Sequence, residues 1–302
     1  MAQLNIINIS GGKDSTATLL LALQLNTPNI LPVFCDTGHE HPATYAYLDY
    51  LESKLGIKIQ RIKYDFTRDM QRKRKYILAK WGAEDVPLEM ITSALEMMTP
   101  TGIPFLDLCI MKGRFPSTKT KFCTTELKVR PMLEQVILPA LKRGDEITQW
   151  LGVRGDESAS RANLPEAEYD DPGLWLYRPI HSWSAQEVFA FHGKHGIEPN
   201  PLYKQGMGRV GCMPCIMSRK AEILEISKRF PEQIDRVREW EALVSRASKS
   251  GFSTLFPVAN GHGAGGIDEE VRWSRTEYGG KQFSLEAILE APACSSLYGL
   301  CE

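Results

Sequence analysis

Residues 4–9, LNIINI, read as a short buried strand and residues 15–25 as a helix, and between them stands Ser10-Gly11-Gly12-Lys13-Asp14-Ser15. A strand that stops at a glycine pair and turns at once into a helix limits the folds open to the chain. It is the first step of a wound α/β sheet, and it leaves unpaired amides at the helix start. The glycines let the backbone turn tightly and approach a ligand, and the helix dipole favours an anion there. Phosphate is the natural occupant. The loop is not the G-x4-G-K-[ST] phosphate loop, because Gly12-Lys13 is followed by Asp14.

The alternation continues. NILPVFCDTG (29–38) reads as a second strand ending in a turn, PATYAYLDYLESKLG (42–56) as a helix with proline near its start and glycine at its end, and IKIQRIKY (57–64) as a third strand. Residues 67–99 read as helical, 128–144 as containing a helix and 146–154 as a strand. The expected fold is therefore α/β, a doubly wound, mostly parallel sheet over residues 1–183. Residues 184–302 are expected to be mostly helical and to carry cysteine. There SWSAQEVFAFHGKHGI (182–197) has a capped helical pattern and 218–251 reads as two helices broken at Pro231, whereas the glycine-rich 251–268 reads as a loop.

With 36 basic and 37 acidic residues, no whole-molecule field draws the chain to a polyanion, so any such site must be a local patch. The strongest is 112–131, where Lys112, Arg114, Lys119, Lys121, Lys128 and Arg130 stand against Glu126 alone. It suits nucleotide phosphates or a nucleic-acid backbone. RDMQRKRK (68–75) is also basic, but on a helix that pattern is expected to be a solvated face. The N-terminus has no basic region followed by an apolar run, and no stretch approaches the roughly 18 apolar residues of a membrane span, so a soluble cytoplasmic protein is expected.

The string S-G-G-K-D-S directly after a first strand resembles the PP-loop ATP pyrophosphatases, whose signature is S-G-G-x-D-S. CDTGHEHPATYAYLDYL (35–51) and GVRGDESASRA (152–162) resemble the phosphoadenylylsulfate (PAPS) reductase family and its relatives. The resemblance spans roughly residues 5–217 and implies an adenine nucleotide alpha hydrolase-like fold. It also implies that Ser10, Gly11, Gly12, Lys13, Asp14 and Ser15 hold the pyrophosphate part of ATP, with Lys13 stabilising the leaving group and Asp14 engaging Mg2+ or the loop backbone. Asp36 at the second strand end is expected near the nucleoside. Gly152, Arg154 and Arg161 are expected near phosphate or sulfate, which arginine grips bidentately. PAPS reductases usually have a degraded loop without the lysine and a tail E-C-G-L-H. Here the loop is intact and the tail is YGLCE, which favours the ATP-using relatives that install sulfur, of the DNA phosphorothioation and tRNA thiolation types.

Seven cysteines in such a chain suit metal ligation or redox chemistry better than a disulfide frame. Cys212 and Cys215 form a C-x2-C knuckle that needs two further ligands. Cys123 matches the place of a cluster cysteine in iron-sulfur members of the resembled family. Cys109 is the preferred fourth ligand, and Cys294 and Cys301 are its rivals. The family favours a [4Fe-4S] cluster, with Zn2+ as the alternative. The tail pair also suits a thiol that carries or resolves sulfur, which makes Cys301 a catalytic candidate. Cys35 reads as a buried small hydrophobe, and His39, His41, His192 and His195 as solvated or capping residues.

The expected function is ATP-dependent adenylylation of an acceptor, a nucleic acid or a small sulfur-accepting substrate, followed by sulfur transfer. Its expected partners are a cysteine desulfurase or a thioredoxin-like reductant, and a homodimer is compatible with the sequence. The alternatives are an iron-sulfur PAPS or adenylylsulfate reductase that releases sulfite, an adenylylating ligase without sulfur chemistry, and a non-catalytic nucleotide- or nucleic-acid-binding module.

Overall fold

The structure is a computed structural model describing residues 3–171, 173–256 and 265–277. Its first strand, β1 (Gln3–Ile9), shows how the sheet is covered. Side chains alternate along a strand, so Ile7 and Ile9 face α1 (Lys13–Gln24) and α2 (Pro42–Leu55), against Leu19, Leu20, Leu48 and Leu51. Ile6 faces the opposite layer, against Met132, Val136, Ile137 and Ala140. A strand buried on both faces reads as an unbroken apolar run, which is what LNIINI is.

β1 pairs in parallel with β2 (Ile30–Cys35) and β4 (Glu146–Trp150), and β2 with β3 (Gln60–Ile62). β6 (Leu174–Tyr177) continues the parallel run beside β4, and β5 (Ala167–Asp171) closes the edge antiparallel to β6. The order is β3-β2-β1-β4-β6-β5. The β5–β6 hairpin was not expected from the sequence.

Three helices follow β3: α3 (Thr67–Lys80), α4 (Leu88–Met97) and α5 (Pro104–Lys112). A long helix, α6 (122–142), contains wide turns at Thr125–Val129 and Leu133–Ile137. These turns precede Pro131 and Pro139, which have no amide to donate and so interrupt the ordinary hydrogen-bond ladder. α7 (Ala185–Lys194) starts with Ser184 and Glu187 bonding each other's backbone amides, and its Val188 packs on Ala17 of α1. α8 (Lys220–Arg229) and α9 (Pro231–Ala247) meet at Pro231, as the sequence reading expected, and α10 (Ile267–Ser274) follows. One apolar core joins α3–α5 to α8–α10 through Met70, Ala94, Leu108, Ile223, Trp240 and Ile267. Segments far apart in sequence thus form a single helical body at the side of the sheet. No helix among the described residues is long and apolar enough to cross a membrane.

Candidate active site

The loop after β1 turns at Gly11, whose φ of 73° is a left-handed conformation that L side chains rarely adopt; a Cβ there would meet Thr44 Cγ2 at 2.8 Å. Gly12 caps α1 with no side chain of its own, leaving the helix start to be organised by hydroxyls. Ser10 N donates to Ser15 Oγ at 3.1 Å, and Gly12 N donates to Ser10 Oγ at 3.3 Å. Lys13 N donates to the Tyr203 hydroxyl at 2.9 Å. Ser15 Oγ in turn donates to Gly12 O at 3.0 Å.

Behind the loop lies a charged chain. Lys13, 5% exposed, places Nζ 3.1 Å from Asp14 Oδ2 and 5.5 Å from the Tyr203 ring centre. Asp14 Oδ1 accepts from Arg154 Nε at 2.6 Å, and Arg154, also 5% exposed, contacts Asp156 at 2.5 Å. Each oxygen of Asp14 therefore meets a cation, Lys13 on one side and Arg154 on the other. Gly152 lets the β4 end approach closely, since a Cβ there would lie 2.9 Å from the Asp14 carbonyl carbon and from Ser15 N.

The other expected site residues have these partners. Asp36 caps its own turn, accepting from Gly38 N at 2.9 Å and from the Tyr45 hydroxyl at 2.7 Å. Arg161 does not join Arg154 on the loop; it pairs with Glu157, whose other contact is Arg154 N. In the basic patch, Lys112 pairs with Glu126 at 2.9 Å, Arg114 lies over the Phe122 ring, and Lys119 and Lys121 are exposed. The Lys128 carbonyl receives Cys35 Sγ at 3.6 Å, so Cys35 is a half-buried residue in contact with α6 rather than simply a core hydrophobe.

Two histidines are neither solvated nor capping. His192 is fully buried and meets the Lys13 carbonyl at 2.8 Å through Nε2. That carbonyl can only accept, so the proton sits on Nε2. His39 is fully buried against Phe105, with Nε2 2.9 Å from Pro214 O and Nδ1 3.2 Å from Arg236 Nη2. Arg236 also reaches Met213 O at 3.2 Å, so His39 and a residue of α9 together hold the Cys212–Cys215 knuckle to the end of β2. His41 does cap, accepting from Ala43 N. Tyr203, Asn200, His192 and Arg236 were missed in the sequence because each acts across the fold with no local motif. Asn200 Nδ2, for instance, donates to Gly11 O at 3.1 Å.

Burial, with the Arg236 charge beside it, pushes His39 from 6.5 down to about 3. The folded protein therefore refuses a proton that the unfolded chain accepts below about pH 6.5, and stability is lost as the pH falls from there towards 3. Burial raises Glu40, which acts in the opposite sense, so the quantity to measure is a difference. Between pH 7 and 5, urea unfolding is expected to show the protein losing about 2 kcal/mol more than a His39→Gln variant. Equal slopes would contradict the neutral, buried imidazole.

Cys109, wholly buried on α5, is raised by burial and by Cys123; Cys123 is raised by burial and by Cys215. Burial and Glu40 push Cys212 up to about 12. Yet among the described residues no three His, Cys, Asp or Glu side chains stand together so as to hold a metal ion. The expected four-thiolate set is thus not drawn together here, although Cys109, Cys123 and the knuckle residue Met213 all border one apolar core. Cys294 and Cys301 lie outside the described residues.

Comparison with known proteins places the sequence in a family. The profile described as Phosphoadenosine phosphosulfate reductase domain matches residues 5–218. A protein of Escherichia phage 186, described as an uncharacterized 37.8 kDa protein, is 48% identical over 99% of this chain and 97% of its own length. The phosphoadenosine 5'-phosphosulfate reductase of Cronobacter sakazakii is 26% identical, covering 68% of each chain. The adenosine 5'-phosphosulfate reductase of Neisseria meningitidis serogroup B is 43% identical over 74 residues, 24% of this chain and 30% of that protein. The chain spans nearly all of the phage protein but less than a third of the Neisseria enzyme. With residues 5–218 of its 302 matched by that profile, this chain belongs to the phosphoadenosine phosphosulfate reductase domain family.

Proposed function

We propose that this protein binds ATP at Ser10–Ser15 and transfers its adenylyl group to an acceptor oxygen, which sulfur then replaces. One observation carries the reading: on the first residue of α1, buried Lys13 has its Nζ held 3.1 Å from Asp14, which Arg154 binds through its other oxygen. A cation held in advance beside a helix N-terminus suits the charge that grows on a leaving pyrophosphate. A ligand lacking the ATP triphosphate would make no such demand.

The acceptor oxygen attacks the α-phosphorus, the α–β bridging bond breaks, and pyrophosphate leaves. The terminal sulfur of a cysteine persulfide, supplied by a desulfurase, then displaces AMP. A second thiol reduces the resulting disulfide link and releases the thiolated product. Asp36, tied into its own turn, shapes the strand-end rim where a nucleoside rests in doubly wound sheets. No step is assigned to a metal cluster.

The second reading, a sulfonucleotide reductase that releases sulfite, is favoured by the names of the Cronobacter and Neisseria enzymes. Parallel assays separate the two. Pyrophosphate release from ATP in the presence of an acceptor is expected, with no sulfite from adenylylsulfate or its 3'-phosphorylated form under thioredoxin. Sulfite without ATP turnover would overturn the primary reading.

A further inference from the structure

Two basic segments lie far apart in the sequence: α3, residues 67–80, and residues 112–130. Together they hold twelve of the chain's 36 lysines and arginines but only two of its 37 acidic residues, so a protein of net charge −1 puts a third of its basic residues in about a tenth of its length. The fold brings the two together. Arg130 of α6 reaches Asp69 of α3 at 3.4 Å and lies 4.1 Å from the Tyr64 ring centre, while the Tyr64 hydroxyl donates to Asp69 at 2.7 Å. Lys73 is close enough to Lys112 for that charge, after burial, to lower its pKa.

The two acids of these segments are already used. Asp69 serves Arg130 and Arg72, and Glu126 serves Lys112 and Arg130. Among the described residues no carboxylate forms an ion pair with Arg114, Lys119 or Lys121. Aromatic rings alternate with the cations. Lys112 and Arg114 lie 5.8 and 5.5 Å from the Phe122 ring centre, and Lys73 lies 4.9 Å from that of Tyr76, which is 45% exposed. The surface reaches the rim of the sheet, because the Lys128 carbonyl meets Cys35 beside Asp36.

Like charges gathered on one face raise the energy of the free protein and favour a polyanion laid across them. Rings between those charges, Tyr76 exposed and Phe122 half-buried, offer faces on which unpaired bases stack and which a duplex or an acidic peptide does not need. We propose that this face binds a single-stranded nucleic acid, its phosphates on Lys73, Arg114, Lys119 and Lys121 and its bases on Phe122 and Tyr76. The inference adds an acceptor class to the proposed function but does not depend on ATP turnover.

The test is fluorescence anisotropy with labelled single-stranded RNA, single-stranded DNA and the matching duplexes over a range of salt. Affinity for at least one single strand is expected to exceed that for its duplex, and the two single-strand arms identify the sugar preferred. In the Arg114→Ala/Lys119→Ala/Lys121→Ala variant the slope of log K against log salt is expected to shrink by about 2, at roughly 0.7 per phosphate contact. Phe122→Ala is expected to weaken binding by about tenfold with the slope unchanged. Lys54→Ala/Lys58→Ala, two charges on α2 and its following turn, is expected to change neither. Melting curves establish that each variant is folded. Duplex binding as tight as single-strand binding, equal competition by polyglutamate, or an unaffected Phe122→Ala would each overturn the proposal. If no oligonucleotide binds to protein that still releases pyrophosphate, this surface falls and the adenylylation reading stands. Binding by protein that releases none supports the surface and removes the chemistry.

Discussion

Lys13→Ala is expected to lower pyrophosphate release from ATP by roughly 10²–10³-fold, the usual cost of removing one prearranged group that stabilises charge in the transition state. The side chain is 5% exposed and its ammonium lies 3.1 Å from Asp14, so it is fixed before substrate arrives and need not reorganise during reaction. Stability should change much less than activity. Asp14 keeps its 2.6 Å bond to Arg154 when Lys13 is lost, so no carboxylate is left without a cation. The melting temperature is the control. A large fall in turnover with a small thermal shift supports the assigned role, whereas equal losses would make Lys13 a structural residue, and unchanged turnover would remove it from the chemistry. Lys13→Arg should recover only part of the activity, because a planar guanidinium does not take the place of a compact ammonium against the Tyr203 ring.

The contrast between what the sequence revealed and what it hid follows from the range of each interaction. The loop was legible because its signal is local: six residues between an apolar strand and a helix. The contacts that complete it are not local. Asp14 meets Arg154, Lys13 N meets Tyr203, and the Lys13 carbonyl meets His192, over separations of 140, 190 and 179 residues. α5 escaped notice for a different reason. PFLDLCIMK is buried from Pro104 to Ile110, so it lacks the polar face that gives a surface helix its period. β5 was hidden by its acidic sequence, AEYDD, although charge along an edge strand discourages pairing with other chains. The basic run of α3 is a solvated face, exposed at Arg68, Arg72, Arg74 and Lys75 as its sequence suggests, but its nearness to 112–130 arises only through the fold.

That same long-range dependence makes Gly152→Ala the sharper test of the architecture. Gly152 follows β4 and carries no functional atom, yet an added Cβ would lie 2.9 Å from the Asp14 carbonyl carbon and 2.9 Å from Ser15 N. Both are backbone atoms at the first turn of α1, so neither can swing aside. Either β4 or the loop must shift, at a cost of about 1–3 kcal/mol. Since the displaced atoms adjoin Lys13 and the Asp14–Arg154 contact, nucleotide affinity is expected to fall by more than about tenfold, as one such increment implies. Gly193→Ala is the matched control. Gly193 lies near the end of α7, a Cβ there meets nothing within 4 Å, and the substitution should be neutral or stabilise by about 0.5–1 kcal/mol. Thermal unfolding and nucleotide titration on the two variants separate the cases. If Gly152→Ala behaves like Gly193→Ala in both, the β4 end does not press on the loop and Arg154 cannot be held against Asp14 in the way described.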